Sequence, residues 1–165
     1  MAKEIDDKHI SKEGLAFWYQ AILSRYTSAN VANSSIDTKS GVVLAAAIAL
    51  LIYLAQVTTQ PLLVTILAAI GLIIVCLLGL RNIHTRDTSV ETHTTEEMES
   101  YYYSDSDENF YWQMIADLED SLKKINIIND TKAKIYKQMV YVLIASSVLV
   151  ILAQYIKLTI TFTWV

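Results

Sequence analysis

The residues best suited to chemistry in this sequence sit in two copies of one charged triplet. Asp37, Thr38 and Lys39 open the stretch SIDTKSGVVLAAAIALL, and Asp130, Thr131 and Lys132 open INDTKAKIYKQMVYVLIASSVLV. A carboxylate and an ammonium make the strong, charge-assisted kind of hydrogen bond. Within one triplet they do not meet, because on a helix residues two apart point in different directions. Each is therefore available to the opposite triplet, a lipid headgroup or a ligand. A dense aromatic group, Tyr101, Tyr102, Tyr103, Phe110, Tyr111 and Trp112, offers either a surface that docks on neighbouring helices or a platform for stacking. His84 and His93 are nine apart in a polar stretch and read as surface histidines, not metal ligands.

No nucleophile motif, phosphate-binding loop, zinc signature or dinucleotide fingerprint occurs. The lone cysteine, Cys76, cannot form an internal disulfide. The reading is of a protein that is not an enzyme and has no metal or cofactor. A net charge of -4 gives no footing for a nucleic-acid polymer.

The elements that place the triplets are apolar. Of 165 residues, 53% are hydrophobic and 18% charged, a balance that points to a membrane protein. No charged residue occurs from Ser40 to Leu80. As one helix that run would measure about 60 Å, twice a bilayer core. Thr58, Thr59, Gln60 and Pro61 break it near the middle, so it reads as a tight hairpin of two spans, about 41–57 and 61–80. A third uncharged run, from Gln138 to Ile156, fits one more span within 138–157. The first run begins too far from the N-terminus for a secretory signal. The expected fold class is an all-α membrane protein with three transmembrane helices, a hairpin plus a third span.

Lysine and arginine set the expected orientation. Arg25 and Lys39 precede the first span. Arg81, Arg86, Lys132, Lys134 and Lys137 flank the connection between the second and third. The N-terminus and that connection are expected in the cytoplasm, with the hairpin turn and the tail 158–165 outside, where Trp164 is a candidate interfacial anchor.

Two cytosolic amphipathic helices complete the expected architecture. Leu15, Trp18, Ile22, Tyr26 and Ala29 form one stripe within 7–36. Tyr111, Met114, Ile115, Leu118, Leu122, Ile125 and Ile128 form another within 109–137. Either helix can run on into its span. The expected boundaries are a cytosolic helix in 1–40, the hairpin in 41–80, an acidic and aromatic loop with its helix in 81–137, the third span in 138–157 and the tail. The spans contain no Asp, Glu, Lys, Arg or His, which weighs against an ion-coupled transporter. Ala45, Ala46, Ala47, Ser146 and Ser147 give small surfaces suited to close helix packing and a homo-oligomer.

An aspartate and lysine before a first span, a two-span hairpin, and a lysine-bearing helix leading into a final span resemble the transmembrane effectors of Pycsar anti-phage systems. The residues that carry the likeness are SIDTKSGVVLAA at 35–46 and ADLEDSLKKINIINDTKAKIYKQMVYVLI at 116–144. That family's first motif reads more like Asp-x-Lys-Ala. Here Ser40 stands in the alanine position, whereas Ala133 follows the second triplet. The layout also resembles the SLATT group of two-span effectors, which lack so clear a third span.

The resemblance implies a multi-pass inner-membrane effector that is not an enzyme. A partner cyclase would supply a cyclic nucleotide signal, and the oligomeric effector would then impair the membrane. It implies Asp37, Lys39, Arg81, Tyr102 and Lys132 as ligand-binding residues, with cations on phosphate and a tyrosine on a base. The alternative is a structural or adaptor subunit that docks partners through its cytosolic helices.

Overall fold

The computed structural model describes residues 12–56, 62–84 and 107–163, all of them helical. Three helices account for them: α1 (Lys12–Gln56), α2 (Leu62–His84) and α3 (Asp107–Thr163). All three are long and apolar enough to cross a membrane. The all-α, three-span reading therefore holds at that level. The apolar runs fall in the C-terminal part of α1, in α2 and in the second half of α3. The amphipathic segments are not separate helices: each is continuous with the apolar run that follows it. The hairpin turn 58–61 lies outside the described residues. So do Tyr101, Tyr102, Tyr103, His93 and Trp164.

Continuity through α1 is not obvious from composition, since residues 24–41 are rich in Ser, Thr and Asn, which are weak helix formers. Their hydroxyls are absorbed by the helix itself. Thr27, Ser28 and Thr38 each donate to the carbonyl four residues back, at 2.9 Å. No proline interrupts the segment, so the ladder is not broken.

The chain divides into two compact units. The first contains residues 12–31 and 107–127. In it Leu15, Tyr19, Ile22, Tyr26 and Ala29 of α1 are buried or half-buried, at alternating steps of four and three. Tyr111, Ile115, Leu118, Leu122 and Ile125 of α3 follow the same alternation. That is the 3.5-residue repeat by which two helices interdigitate side by side. Leu15, Ile22 and Ile115 form its buried cluster, flanked by Tyr19, Tyr111 and Leu118. Both expected stripes are thus the inward faces, except that Trp18 lies at the edge, 37% exposed. On the solvated side, Lys124 bonds Asp120 at 2.8 Å, and that hydrogen bond, then the lysine's charge, holds the Asp120 carboxyl below its ordinary range.

The second unit contains residues 32–56, 62–84 and 128–163. Its seams keep the same rhythm. Asn33, Ile36, Ser40, Val43, Ala47, Leu50 and Leu54 line the inward face of α1. Thr65, Ala68, Leu72, Val75, Gly79 and Asn82 line that of α2. On α3 the inward positions run from Asn129 and Lys132 through Tyr136, Met139, Leu143 and Ser146 to Val150 and Ala153. Val43, Ala47, Leu54, Ala68, Leu72, Val75, Ile135, Met139 and Val150 make one apolar cluster. The outward positions are just as apolar: Ile66, Ile70, Ile73, Leu77, Ile144 and Ile151 are all exposed. A water-soluble three-helix unit would carry charge there, whereas hydrocarbon is the natural solvent for such a surface.

Small residues set how closely these helices approach, as expected where hydrocarbon competes with the core for apolar side chains. A Cβ placed on Gly71 would lie 2.2 Å from Ser146 Oγ and 3.4 Å from its Cβ. Alanine is accommodated there if the serine hydroxyl rotates. Leucine is not, because its branch must pass the Ser146 and Val142 side chains. Gly71→Leu is expected to destabilise the α2–α3 packing by about 1–3 kcal/mol, measured as a lower unfolding midpoint in detergent. Gly71→Ala should stay near the parent. Equal midpoints for parent and Gly71→Leu would contradict this packing.

Candidate functional site

The polar groups of the second unit concentrate at one level of the seams, just before the apolar cluster begins in α1 and α3. Lys132 Nζ donates to both carboxylate oxygens of Asp37, at 2.8 and 3.1 Å. The lysine side chain is completely buried, while that of Asp37 keeps 24% of its surface exposed. One turn along α1, Ser40 Oγ accepts a hydrogen bond of 2.7 Å from Asn82 Nδ2 of α2, and both residues are fully buried. Asn33, one turn before Asp37, and Asn129, one turn before Lys132, occupy the adjacent inward positions. The oxygens Asn33 Oδ1 and Asn82 Oδ1 are buried and accept no hydrogen bond among the described residues.

Helical geometry explains why one member of each triplet enters this layer. Lys132 falls on the inward repeat of α3, three residues after Asn129 and four before Tyr136. Asp130 is off that repeat and exposed. Asp37 flanks the inward positions Ile36 and Ser40 of α1, whereas Lys39 points away and is exposed. The first triplet thus contributes its acid and the second its base.

The ligand-binding set expected from the resemblance is therefore divided. Asp37 and Lys132 are together and satisfy each other. Lys39 is exposed elsewhere on α1, Arg81 is exposed near the end of α2, and Tyr102 lies outside the described residues. Ser40, Asn82 and Asn33 are additional members that the triplets do not announce. Their signal in the sequence is a polar residue at the border of an apolar run, in step with the inward repeat. A second polar contact occurs at the opposite end of the same unit, where Gln154 donates to the Tyr53 hydroxyl.

Chemically, the layer stores and neutralises charge. An ammonium with three donors faces a carboxylate, and the neighbouring groups are amides and a hydroxyl. No nucleophile is poised beside a base in it. Among the described residues no group of three or more His, Cys, Asp or Glu is gathered in metal-binding geometry.

In the first unit the aromatic residues dock on one another. Trp18 and Trp112 meet edge to face, with centroids 5.3 Å apart and planes at 83°. Tyr19 and Tyr111 do so at 6.1 Å, and Phe110 lies against Tyr111 at 6.0 Å. Such pairs add about 0.5–1.5 kcal/mol each beyond the area they bury. Of the two readings of the aromatic group, docking thus describes Phe110, Tyr111 and Trp112. The same unit has an open groove of about 530 Å³ lined by Ser24, Arg25, Ser28, Ala29, Leu122 and Asn126. It forms where alanine replaces the larger residues found at the equivalent positions, Leu15 and Ile22.

No family model matches the sequence, and neither a curated protein nor a solved structure matches it. What the fold and the site define is a class: an all-helical protein with three helices able to cross a membrane and a buried polar layer between them.

Proposed function

We propose that the protein is a membrane effector with no catalytic activity of its own. In this reading it resides in a bacterial inner membrane with its N-terminus in the cytoplasm. The first unit is its cytosolic, signal-responsive part, formed by the two amphipathic segments. The second unit carries the three spans, assembles with further copies and impairs the membrane when triggered. The trigger is a cyclic nucleotide made by a partner cyclase. The observation that supports this reading best is the second unit's construction: an apolar outer surface suited to lipid around helices whose polar groups face inwards. The lysine and arginine distribution supports the orientation, and the likeness to anti-phage effectors supports the trigger.

A ligand can shift such a protein only by binding its two states unequally. With Lys132 buried against Asp37, exposed cations of the described residues that can meet a phosphate include Lys39 and, in the groove, Arg25. An adaptor role has one observation in its favour, the exposed aromatic edge of Phe17, Trp18 and Trp112, which resembles the aromatic content of protein-docking surfaces.

Membrane potential separates the two. Cells expressing the full chain are expected to depolarise on induction, and more strongly when a cyclic nucleotide is co-produced. An unchanged potential under both conditions, with the protein confirmed in the membrane, would rule out the effector reading and favour the adaptor.

A further inference from the structure

We infer that the Asp37–Lys132 pair is a charge latch: it holds α1 and α3 closed at the entry to the apolar seam, and its loss parts them there without dissolving the seam beyond. This does not rest on the effector reading, since it concerns how the second unit is held together whatever that unit does.

Three observations carry it. First, the pair is the charged tie between α1 and α3 in this layer, whereas the buried Asn82–Ser40 hydrogen bond joins α2 to α1. Asn33 Oδ1 and Asn82 Oδ1 are buried without a donor among the described residues, so this level lacks the satisfied packing of the apolar cluster beside it. Second, the pair is asymmetric. Lys132 has no exposed surface, whereas Asp37 is partly reached by solvent. An intact pair keeps the ammonium in place, and an unpaired one drives it towards water, because an uncompensated buried charge is costly. Its side chain is wholly enclosed, so carrying the ammonium out to water pushes apart the helices that enclose it. Third, the far end of the unit has its own tie, Gln154 to Tyr53, with the apolar cluster in between. Opening at one end therefore leaves the other end held.

Charge, not side-chain bulk, is the property at work, and that makes the latch testable by replacing charges singly and together. The full chain would be kept in native membranes with Cys76→Ser as background. Asn33→Cys with Asn129→Cys reports the entry, one turn from the pair on each helix. Leu54→Cys with Ala153→Cys, the inward neighbours of Tyr53 and Gln154, reports the far end and leaves that hydrogen bond in place. Bis-maleimide cross-linking between α1 and α3 is the readout. Asp37→Asn alone is expected to lower the entry cross-link at least about fivefold, a coupling of about 1 kcal/mol, and Lys132→Met alone to lower it less, while the far cross-link stays at the parent level in both. The neutral double variant, Asp37→Asn with Lys132→Met, should return the entry cross-link to within about twofold of the parent, since no unpaired charge remains. The reversed pair, Asp37→Lys with Lys132→Asp, should do likewise.

Single variants that cross-link like the parent at the entry would overturn the latch. A neutral double variant as open as the singles would also overturn it, because lost bulk would then be the cause. Loss of both cross-links in the singles would mean that the pair supports the whole unit. The neutral double variant keeps the test decisive if the reversed pair does not fold. Depolarisation need not occur in any of these experiments, so failure of the latch and failure of the effector reading are read separately.

Discussion

Asp37→Ala is expected to lower the stability of the detergent-solubilised protein by about 3–5 kcal/mol, more than the loss of a single hydrogen bond would predict. The substitution removes the carboxylate that pairs with a lysine with no exposed surface. Lys132 is then left as a buried, unpaired cation, which is strongly unfavourable. The reverse substitution should cost less. With Lys132→Met, the remaining Asp37 carboxylate still keeps part of its surface in solvent, and methionine fills the lysine's apolar volume. The order of effects is therefore Asp37→Ala first, Lys132→Met second, and the neutral double close to the parent. Unfolding midpoints in denaturant, or thermal melts followed by helical circular dichroism, give that order directly. If both single changes matched the parent, the pair would be an exposed-type ion pair of small worth, contrary to its burial.

The second large effect belongs to the first unit. Its buried cluster consists of Leu15, Ile22 and Ile115, with Tyr19, Tyr111 and Leu118 packed against them. Leu15 is 1% exposed. Leu15→Ala removes one of the three buried side chains of that cluster, at a cost of about 2–5 kcal/mol. A unit with so few buried groups has little to replace them with, so the loss should appear as local opening. Amide hydrogen exchange is the suitable measurement. Peptides from 12–31 and 107–127 are expected to exchange at least about 30-fold faster than in the parent, while those from 62–84 change little. Uniform protection in both proteins would show that Leu15 is not an anchor of this unit.

The first unit's inward faces were legible in the sequence because they are written in contrast. Leu15, Ile22, Ile115 and Ile125 recur among Ser, Asn, Lys and Asp, so a step of three and four residues stands out. In the second unit the same rhythm is present but hidden. Val43 is buried and Val42 is exposed, Leu72 is buried and Ile73 is exposed, and nothing in residue type separates them. In hydrocarbon both faces of a helix are apolar, so periodicity loses its signal. The few polar inward residues, Ser40, Asn82, Lys132 and Ser146, were visible as letters but not as a set, because they belong to three helices distant in the chain.

By itself the sequence determined two things: that the described residues are helical, and that three runs are long and apolar enough to cross a membrane. These follow from local composition and spacing, which require no knowledge of what lies across a helix. Only the tertiary structure decided what the repeated triplet does. It joined the acid of the first copy to the base of the second, because Lys132 lies on the inward repeat of α3 and Asp37 flanks that of α1, and a buried ammonium demands a carboxylate within hydrogen-bonding reach. Two residues that looked free in the sequence, 95 positions apart, are each other's partner.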